Sequence, residues 1–161
     1  ADGDWSSDVC SSDLAMSSTT RSWIRSVLAI LAGVITWMVL AFGTDVLMTQ
    51  VFPDRFVYGE PVVHTPILLL LATYSLGYAI VAGAVTGRLA RQRPVRHALA
   101  LGIVQLVLAG TATYLQVNVA PVWYHVLVLS LTVPAHVLGG WLWARRAAGE
   151  VREVRVTTWQ K

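Results

Sequence analysis

Residues 98–144 read ALALGIVQLVLAGTATYLQVNVAPVWYHVLVLSLTVPAHVLGGWLWA, and this stretch contains no Asp, Glu, Lys or Arg. A helix needs about 20 apolar residues to cross a hydrocarbon core about 30 Å thick, so the stretch is long enough for two crossings. Asn118 and Pro121 interrupt it. Proline suits the first turn of a helix, because an N–H at that position would have no partner within the helix. The stretch therefore predicts two membrane-spanning helices joined by a short turn.

Two further apolar runs precede this stretch. The first covers residues 26–44 between Arg25 and Asp45, and the second covers residues 66–87 and ends at Arg88. In lipid only helices and closed barrels satisfy their backbone hydrogen bonds, and runs of this length fit helices. We therefore predict an all-α fold, an integral membrane four-helix bundle. The predicted spans cover about residues 23–48, 64–88, 95–118 and 121–145.

The composition of the chain agrees with a membrane protein. Of the 161 residues, 55% are hydrophobic and 13% are charged, and the mean hydropathy is +0.59. A soluble domain carries about 25% charged residues. These values exclude a soluble globular domain and a disordered chain, and the one cysteine excludes a disulfide scaffold.

The N-terminal segment has a different origin from the rest of the chain in our interpretation. Residues 4–14, DWSSDVCSSDL, look like the conceptual translation of a short-read sequencing adapter. We therefore expect residues 1–15 to be adapter-derived and disordered, and the natural chain to begin at Met16. The one cysteine, Cys10, lies in this segment, so we expect no thiol chemistry. The chain from Met16 onwards has twelve basic and five acidic residues, a formal charge of +7.

The basic residues predict the orientation of the spans. Eleven of the twelve lie on one side of the predicted membrane, and only Arg55 lies on the other. The eleven are Arg21, Arg25, Arg88, Arg91, Arg93, Arg96, Arg145, Arg146, Arg152, Arg155 and Lys161. By the positive-inside rule, both termini are cytoplasmic, with the transmembrane domain at residues 16–146 and a basic tail at 147–161.

The arginines between the second and third spans indicate a lipid partner. Because Arg88, Arg91, Arg93 and Arg96 lie next to two spans, we expect them to contact anionic lipid, and we expect no nucleic acid. The first span has an alternative interpretation as a signal peptide cleaved near residues 41–43. A usual signal core is 7–15 residues long. The first run is longer than that, so a retained helix is favoured.

Small residues predict where the helices pack, because lipid gives helices no hydrophobic drive to associate. The second span carries small residues four apart on one face: Ser75, Ala79, Gly83 and Gly87. We expect this face to pack against span three, with Gly83 beside Gly102. Spans three and four should form an antiparallel hairpin that turns between Ala120 and Pro121. This hairpin places at equal depth Gln116 with His125, Gln105 with His136, and Gly102 with Gly139. Because a buried imidazole needs hydrogen-bond partners, we expect Gln105 to bond His136 as a mid-membrane pair.

A second polar cluster is predicted at the outer ends of the spans. Its members are Asp45, His64, Gln116 and His125. One interpretation is an outward-facing pocket for a proton, a cation or a small ligand. The other, which we favour, is a hydrogen-bond cluster that joins the outer loops. Zinc binding by the two histidines and Asp45 is disfavoured by their irregular spacing. We therefore predict no metal site and no cofactor.

Four segments carry a resemblance to known proteins. They are Gly43-Thr44-Asp45, LGYAIVAGAVTGRLA (76–90), RPVRHALALG (93–102) and WYHVLVLSLTVPAHVLGGWL (123–142). On these segments the chain resembles small, uncharacterised four-span proteins of the bacterial inner membrane. The resemblance implies a multi-pass location in that membrane and supplies no catalytic residue.

The sequence leaves two main classes of function open. A non-enzymatic membrane subunit or scaffold is favoured, because every polar feature has an adequate packing explanation. The alternative is a small transporter or channel for a proton, cation or small ligand, acting as an oligomer. An enzyme is disfavoured, because no two titratable groups converge at a defined spacing. The bilayer and either a second copy of the chain or a larger membrane complex are the expected partners. A deep cavity reaching His136 would favour transport, and a closed bundle would favour the scaffold.

Overall fold

The computed structural model describes residues 6–53, 61–62, 64–90, 93–115 and 117–159, with side chains described between residues 23 and 149. The described residues are almost all helical and contain no strand. The helices are α1 (Ser6–Val51), α2 (Thr65–Ala90), α3 (Pro94–Leu115) and α4 (Val122–Trp159). The predicted all-α, four-helix architecture is confirmed.

All four helices are long and apolar enough to cross a membrane. The qualifying segments are Trp23–Val51, Thr65–Ala90, Pro94–Leu115 and Val122–Gly149. Four such segments fit a multi-pass membrane protein. Helix α1 begins at Ser6, inside the segment that we expected to be disordered. A helix propagates easily once formed, because each added residue gains one hydrogen bond. The side chains of residues 1–22 lie outside the described ones, so the expected lack of packing there stays a prediction.

Each connection between helices has a local cause. The carbonyl of His64 accepts hydrogen bonds from the backbone N–H groups of Ile67 and Leu68, at 3.0 and 3.1 Å, and so begins α2. Arg93 has a φ of 52°, and this left-handed residue directly precedes the proline that begins α3. The carbonyl of Pro121 accepts the N–H of Tyr124 at 3.0 Å at the start of α4.

Helix α2 is the central element of the bundle, because it contacts the other three helices. Helix α3 also contacts α1 and α4, whereas the described residues of α1 and α4 do not touch each other. We name the two ends of the bundle by their side chains. The arginine end carries Arg25, Arg88, Arg93, Arg96, Arg145 and Arg146, and the Asp45 end carries Asp45, His64, Asn118 and His125.

The half of the bundle nearest the arginine end is tightly packed through small residues. A Cβ atom at Gly83 would overlap the backbone carbonyl of His136, and a Cβ atom at Gly139 would overlap that of Ile80. Close backbone approach through glycine is typical of membrane helix pairs. The seam between α2 and α4 therefore tolerates no side chain at these two positions.

The small-residue face of α2 packs against a different helix from the one that the sequence predicted. Gly83 faces α4 rather than α3, and a Cβ on Gly102 would lie 3.4 Å from the Cβ of His136 rather than beside Gly139. Helix α4 carries the adjacent pair Gly139 and Gly140, whereas α3 has one glycine in this half. The two helices with the most glycine therefore approach most closely.

The register of α3 against α4 also differs from the predicted one, by about one helical turn. Helix α3 ends at Leu115 and α4 begins at Val122, so the connection centres near Asn118 rather than between Ala120 and Pro121. A turn placed earlier in the chain moves every cross-helix pair. This shift brings His136 beside Gly102, where the sequence predicted Gln105.

Candidate functional site

The half of the bundle nearest the Asp45 end contains a partly open cavity. On α3 the last buried residue is Gln105, and on the described part of α4 the first is Thr132. Beyond these two positions the helices separate around a cavity of about 650 Å³. All four helices line it, within residues 37–45 of α1, 68–79 of α2, 105–113 of α3 and 124–132 of α4.

The cavity wall is largely apolar, with a few polar groups. Leucine, valine and alanine form much of it, including Leu71, Val128 and Ala109. The polar side chains in the wall are Asp45, Tyr74, Ser75, Gln105, Thr113, Tyr124, His125 and Thr132. Sites for small molecules have this character: a concave apolar surface of roughly 300–1,000 Å³ with few polar groups.

Hydrogen bonds join α1 to α2 at the edge of the cavity. The hydroxyl of Tyr74 donates to Oδ1 of Asp45 at 2.8 Å. One residue earlier on α1, the hydroxyl of Thr44 bonds that of Tyr78 at 2.5 Å. The two tyrosine rings lie 5.4 Å apart between centroids. Thr44 and Asp45, which are adjacent on α1, thus bind two tyrosines that lie one turn apart on α2. The bond from Tyr74 fixes the position of the Asp45 carboxylate.

Two polar atoms in the cavity wall are buried without a hydrogen-bond partner. They are Oε1 of Gln105 and Nε2 of His125. Gln105 is only 3% exposed. Leaving a buried acceptor unsatisfied costs about 1–3 kcal/mol. Two residues of the cavity wall therefore carry hydrogen-bonding capacity that the described side chains leave unused.

His136 lies below the cavity, in the tightly packed half. The structure therefore matches neither the deep cavity reaching His136 that would favour transport nor the closed bundle that would favour the scaffold. His136 is completely buried, and its Nδ1 donates to the carbonyl of Thr132 at 2.7 Å. Its Nε2 has no partner. Because Oε1 of Gln105 is also unpaired, the expected hydrogen bond between these two side chains is not formed. The register shift explains this difference, since it places Gln105 in the cavity wall instead.

The predicted outer cluster is only partly assembled by the structure. Asp45 and His125 both line the cavity. His64 is exposed and does not line it, and Gln116 lies outside the described residues, as does its predicted pairing with His125. The outer connections meet through the backbone, where the N–H of Val62 donates to the carbonyl of Val119 at 2.9 Å. Within the described ranges no group of three His, Cys, Asp or Glu residues could hold a metal ion.

Sequence reasoning missed most of the aromatic part of this site. Trp37, Phe42, Tyr74 and Tyr124 line the same cavity as Asp45. One signal was present: Tyr74 and Tyr78 lie four residues apart and therefore share a helical face. The two rings from α1, Trp37 and Phe42, gave no such signal, because their common position depends on how the four helices are arranged.

The arginine end has its own contacts between helices. The guanidinium of Arg88 on α2 lies 5.4 Å from the ring centroid of Trp143 on α4, which joins the two helices. Nε2 of His97 lies 3.0 Å from the hydroxyl of Ser26, which joins α3 to α1. The hydroxyl of Thr86 on α2 donates to the carbonyl of Ala29 on α1 at 3.2 Å. These contacts join all four helices at the end opposite to the cavity.

Comparisons with known proteins give no relative from which a role could be transferred. No protein-family model, curated protein or solved structure matches the chain. The case for a function therefore rests on the geometry of the cavity.

Proposed function

We propose that this chain is a small transporter or carrier whose four-helix bundle binds a small, largely apolar molecule. The observation that carries the proposal is the 650 Å³ cavity with Oε1 of Gln105 unpaired in its wall. An apolar side chain at this position would serve packing without the cost of an unsatisfied amide. A ligand that donates a hydrogen bond to Gln105 removes that cost.

The position of the cavity suits binding followed by release on one side. The tightly packed half, with Gly83 against His136, closes the path towards the arginine end. We propose that the arginine end faces the cytoplasm of a bacterial inner membrane, following the positive-inside rule. The cavity then lies in the outer half of the bilayer, and the arginines of the link between α2 and α3 contact anionic lipid. Because four helices barely enclose a continuous path, transport is proposed to involve an oligomer.

The non-enzymatic membrane subunit or scaffold expected from the sequence is the second candidate. The close α2–α4 seam favours it, because backbone contact at Gly83 and Gly139 makes a stiff support for another membrane protein. A scaffold does not use the cavity, so the two candidates differ in whether water and solutes reach Ser75 in its wall.

Thiol labelling tests the proposal. In a Cys10→Ser background, Ser75→Cys places a thiol in the cavity wall, and Thr73→Cys places one on the exposed surface of the same helix, away from the cavity. A thiol facing lipid stays protonated and reacts poorly, because the thiolate is the reactive form. We expect a membrane-impermeant thiol reagent to label Ser75→Cys at least tenfold faster than Thr73→Cys. Equal, slow labelling of both would favour the scaffold.

A further inference from the structure

The side chains around Asp45 have a common chemical preference. Asp45 supplies a carboxylate, and Trp37, Phe42, Tyr74 and Tyr124 supply aromatic rings to the same cavity. Aromatic faces attract cations, and rings combined with a carboxylate recognise quaternary ammonium groups well. The polar part of the cavity wall nearest Asp45 is therefore suited to positive charge.

No described arginine serves as a counter-ion for Asp45. Every arginine whose side chain is described lies at the arginine end of the bundle. Arg55 is the one basic residue of the α1–α2 connection, and it lies outside the described residues. Asp45 receives a hydrogen bond from Tyr74. This bond fixes the carboxylate without neutralising its charge. An ionised group within a membrane is costly unless it is paired.

The character of the wall distinguishes an organic cation from an inorganic one. A metal ion needs several oxygen, nitrogen or sulfur ligands, and no group of three His, Cys, Asp or Glu residues is available among the described residues. The remaining wall is apolar and includes Leu71, Ala79 and Val128. Such a wall suits a hydrocarbon body.

We propose that the ligand is an organic monocation with an apolar body, its charged nitrogen between Asp45 and the aromatic rings. The apolar body lies against the apolar wall of the cavity and extends towards Gln105. This inference rests on the proposed function, because it names the class of molecule that the cavity binds.

The test compares two probes of the same shape and different charge. Benzyltrimethylammonium is the cation, and neopentylbenzene is its uncharged counterpart, with carbon in place of the nitrogen. The protein carries Cys10→Ser and Ser75→Cys in phosphatidylcholine nanodiscs, whose zwitterionic surface does not concentrate the cation. Protection of the Ser75→Cys thiol from N-ethylmaleimide measures occupancy of the cavity. We expect the cation to protect at a concentration in the aqueous phase at least tenfold lower than the neutral probe does.

Substitutions at Asp45 supply the matched controls. Asp45→Asn keeps an oxygen that accepts the hydrogen bond of Tyr74 and removes the charge, so we expect the tenfold preference to disappear while protection by the neutral probe is unchanged. Asp45→Glu should retain the preference. If Asp45→Asn does not fold, the comparison of the two probes at unchanged Asp45 still decides the matter.

Each result has a distinct meaning. Equal protection by the two probes, or a preference that survives Asp45→Asn, overturns the cation assignment and leaves the proposed function intact. An ion pair between Arg55 and Asp45 would give the first of these results. A lack of protection by either probe contradicts the proposed function itself, together with the inference that rests on it.

Discussion

Gly83 on α2 lies directly against the backbone carbonyl of His136 on α4, with no space for a methyl group between them. The two residues come from the same half of the bundle, and His136 is completely buried there. Close approach of the two backbones brings many atoms into van der Waals contact, which is a main source of helix association in lipid. This contact defines the position of α2 relative to α4.

Gly83→Ala should destabilise the bundle. The added Cβ would overlap the carbonyl of His136, so α2 and α4 must separate. Over-packing of this kind costs about 1–3 kcal/mol of unfolding free energy. Gly77→Ala is the matched control, because a Cβ at Gly77 has no atom within 4 Å. Unfolding followed by circular dichroism during denaturing-detergent titration measures both variants, and equal stability of the two would contradict the described seam.

Gln105→Leu should leave stability unchanged or raise it by about 1 kcal/mol, because it removes an unpaired buried acceptor. The hydrogen bond expected from the sequence predicts the opposite result, a loss of stability. A double-mutant cycle with His136→Leu distinguishes the two. With no bond between the side chains, we expect a coupling energy below about 0.5 kcal/mol. A larger coupling would restore the pair predicted from the sequence.

Tyr74→Phe should weaken the contact between α1 and α2. The substitution keeps the ring and removes the hydroxyl that donates to Asp45. Hydrogen bonds to charged groups contribute about 1.5–3 kcal/mol. Tyr114→Phe serves as the control, because Tyr114 is 82% exposed on the outside of α3. A thermal-melting midpoint lowered in the first variant and unchanged in the second is the expected outcome.

Labelling at the two connections tests the proposed orientation. Asn118 lies between α3 and α4, and Gln92 lies between α2 and α3. In the Cys10→Ser background, we expect an impermeant thiol reagent to label Asn118→Cys on intact cells. It should label Gln92→Cys only after the membrane is opened. Labelling of both positions from one side would refute the four-span topology.

The sequence was sufficient to predict the helices, because the length of an uncharged apolar run is a local property. Residues 98–144 illustrate this, since they form two helices with a connection near the predicted position. The small residues at Gly83 and Gly139 also indicated close approach, although not the helix that each would meet. The choice of partner is a property of the whole bundle.

The candidate site was less accessible to sequence reasoning. Two of its polar residues, Asp45 and His125, were predicted as site residues, because charged and titratable residues are rare within apolar runs. The register of α3 against α4 was wrong by about one turn, since it depends on whether α3 ends at Leu115 or a few residues later. The cavity was not predicted, because it forms where the helices do not contact one another. Such a gap produces no recognisable pattern in the sequence of any single helix.

The bundle has a tightly packed half and a half with a cavity. Constraints on folding therefore act on different residues from constraints on ligand recognition. Substitutions at Gly83 or Gly139 alter the framework, so selection on folding restricts them. Substitutions at Leu71 or Val128 change the shape of the cavity wall while leaving the α2–α4 backbone contact in place. Descendants of one ancestral chain could therefore diversify in the molecules they recognise while inheriting the same framework.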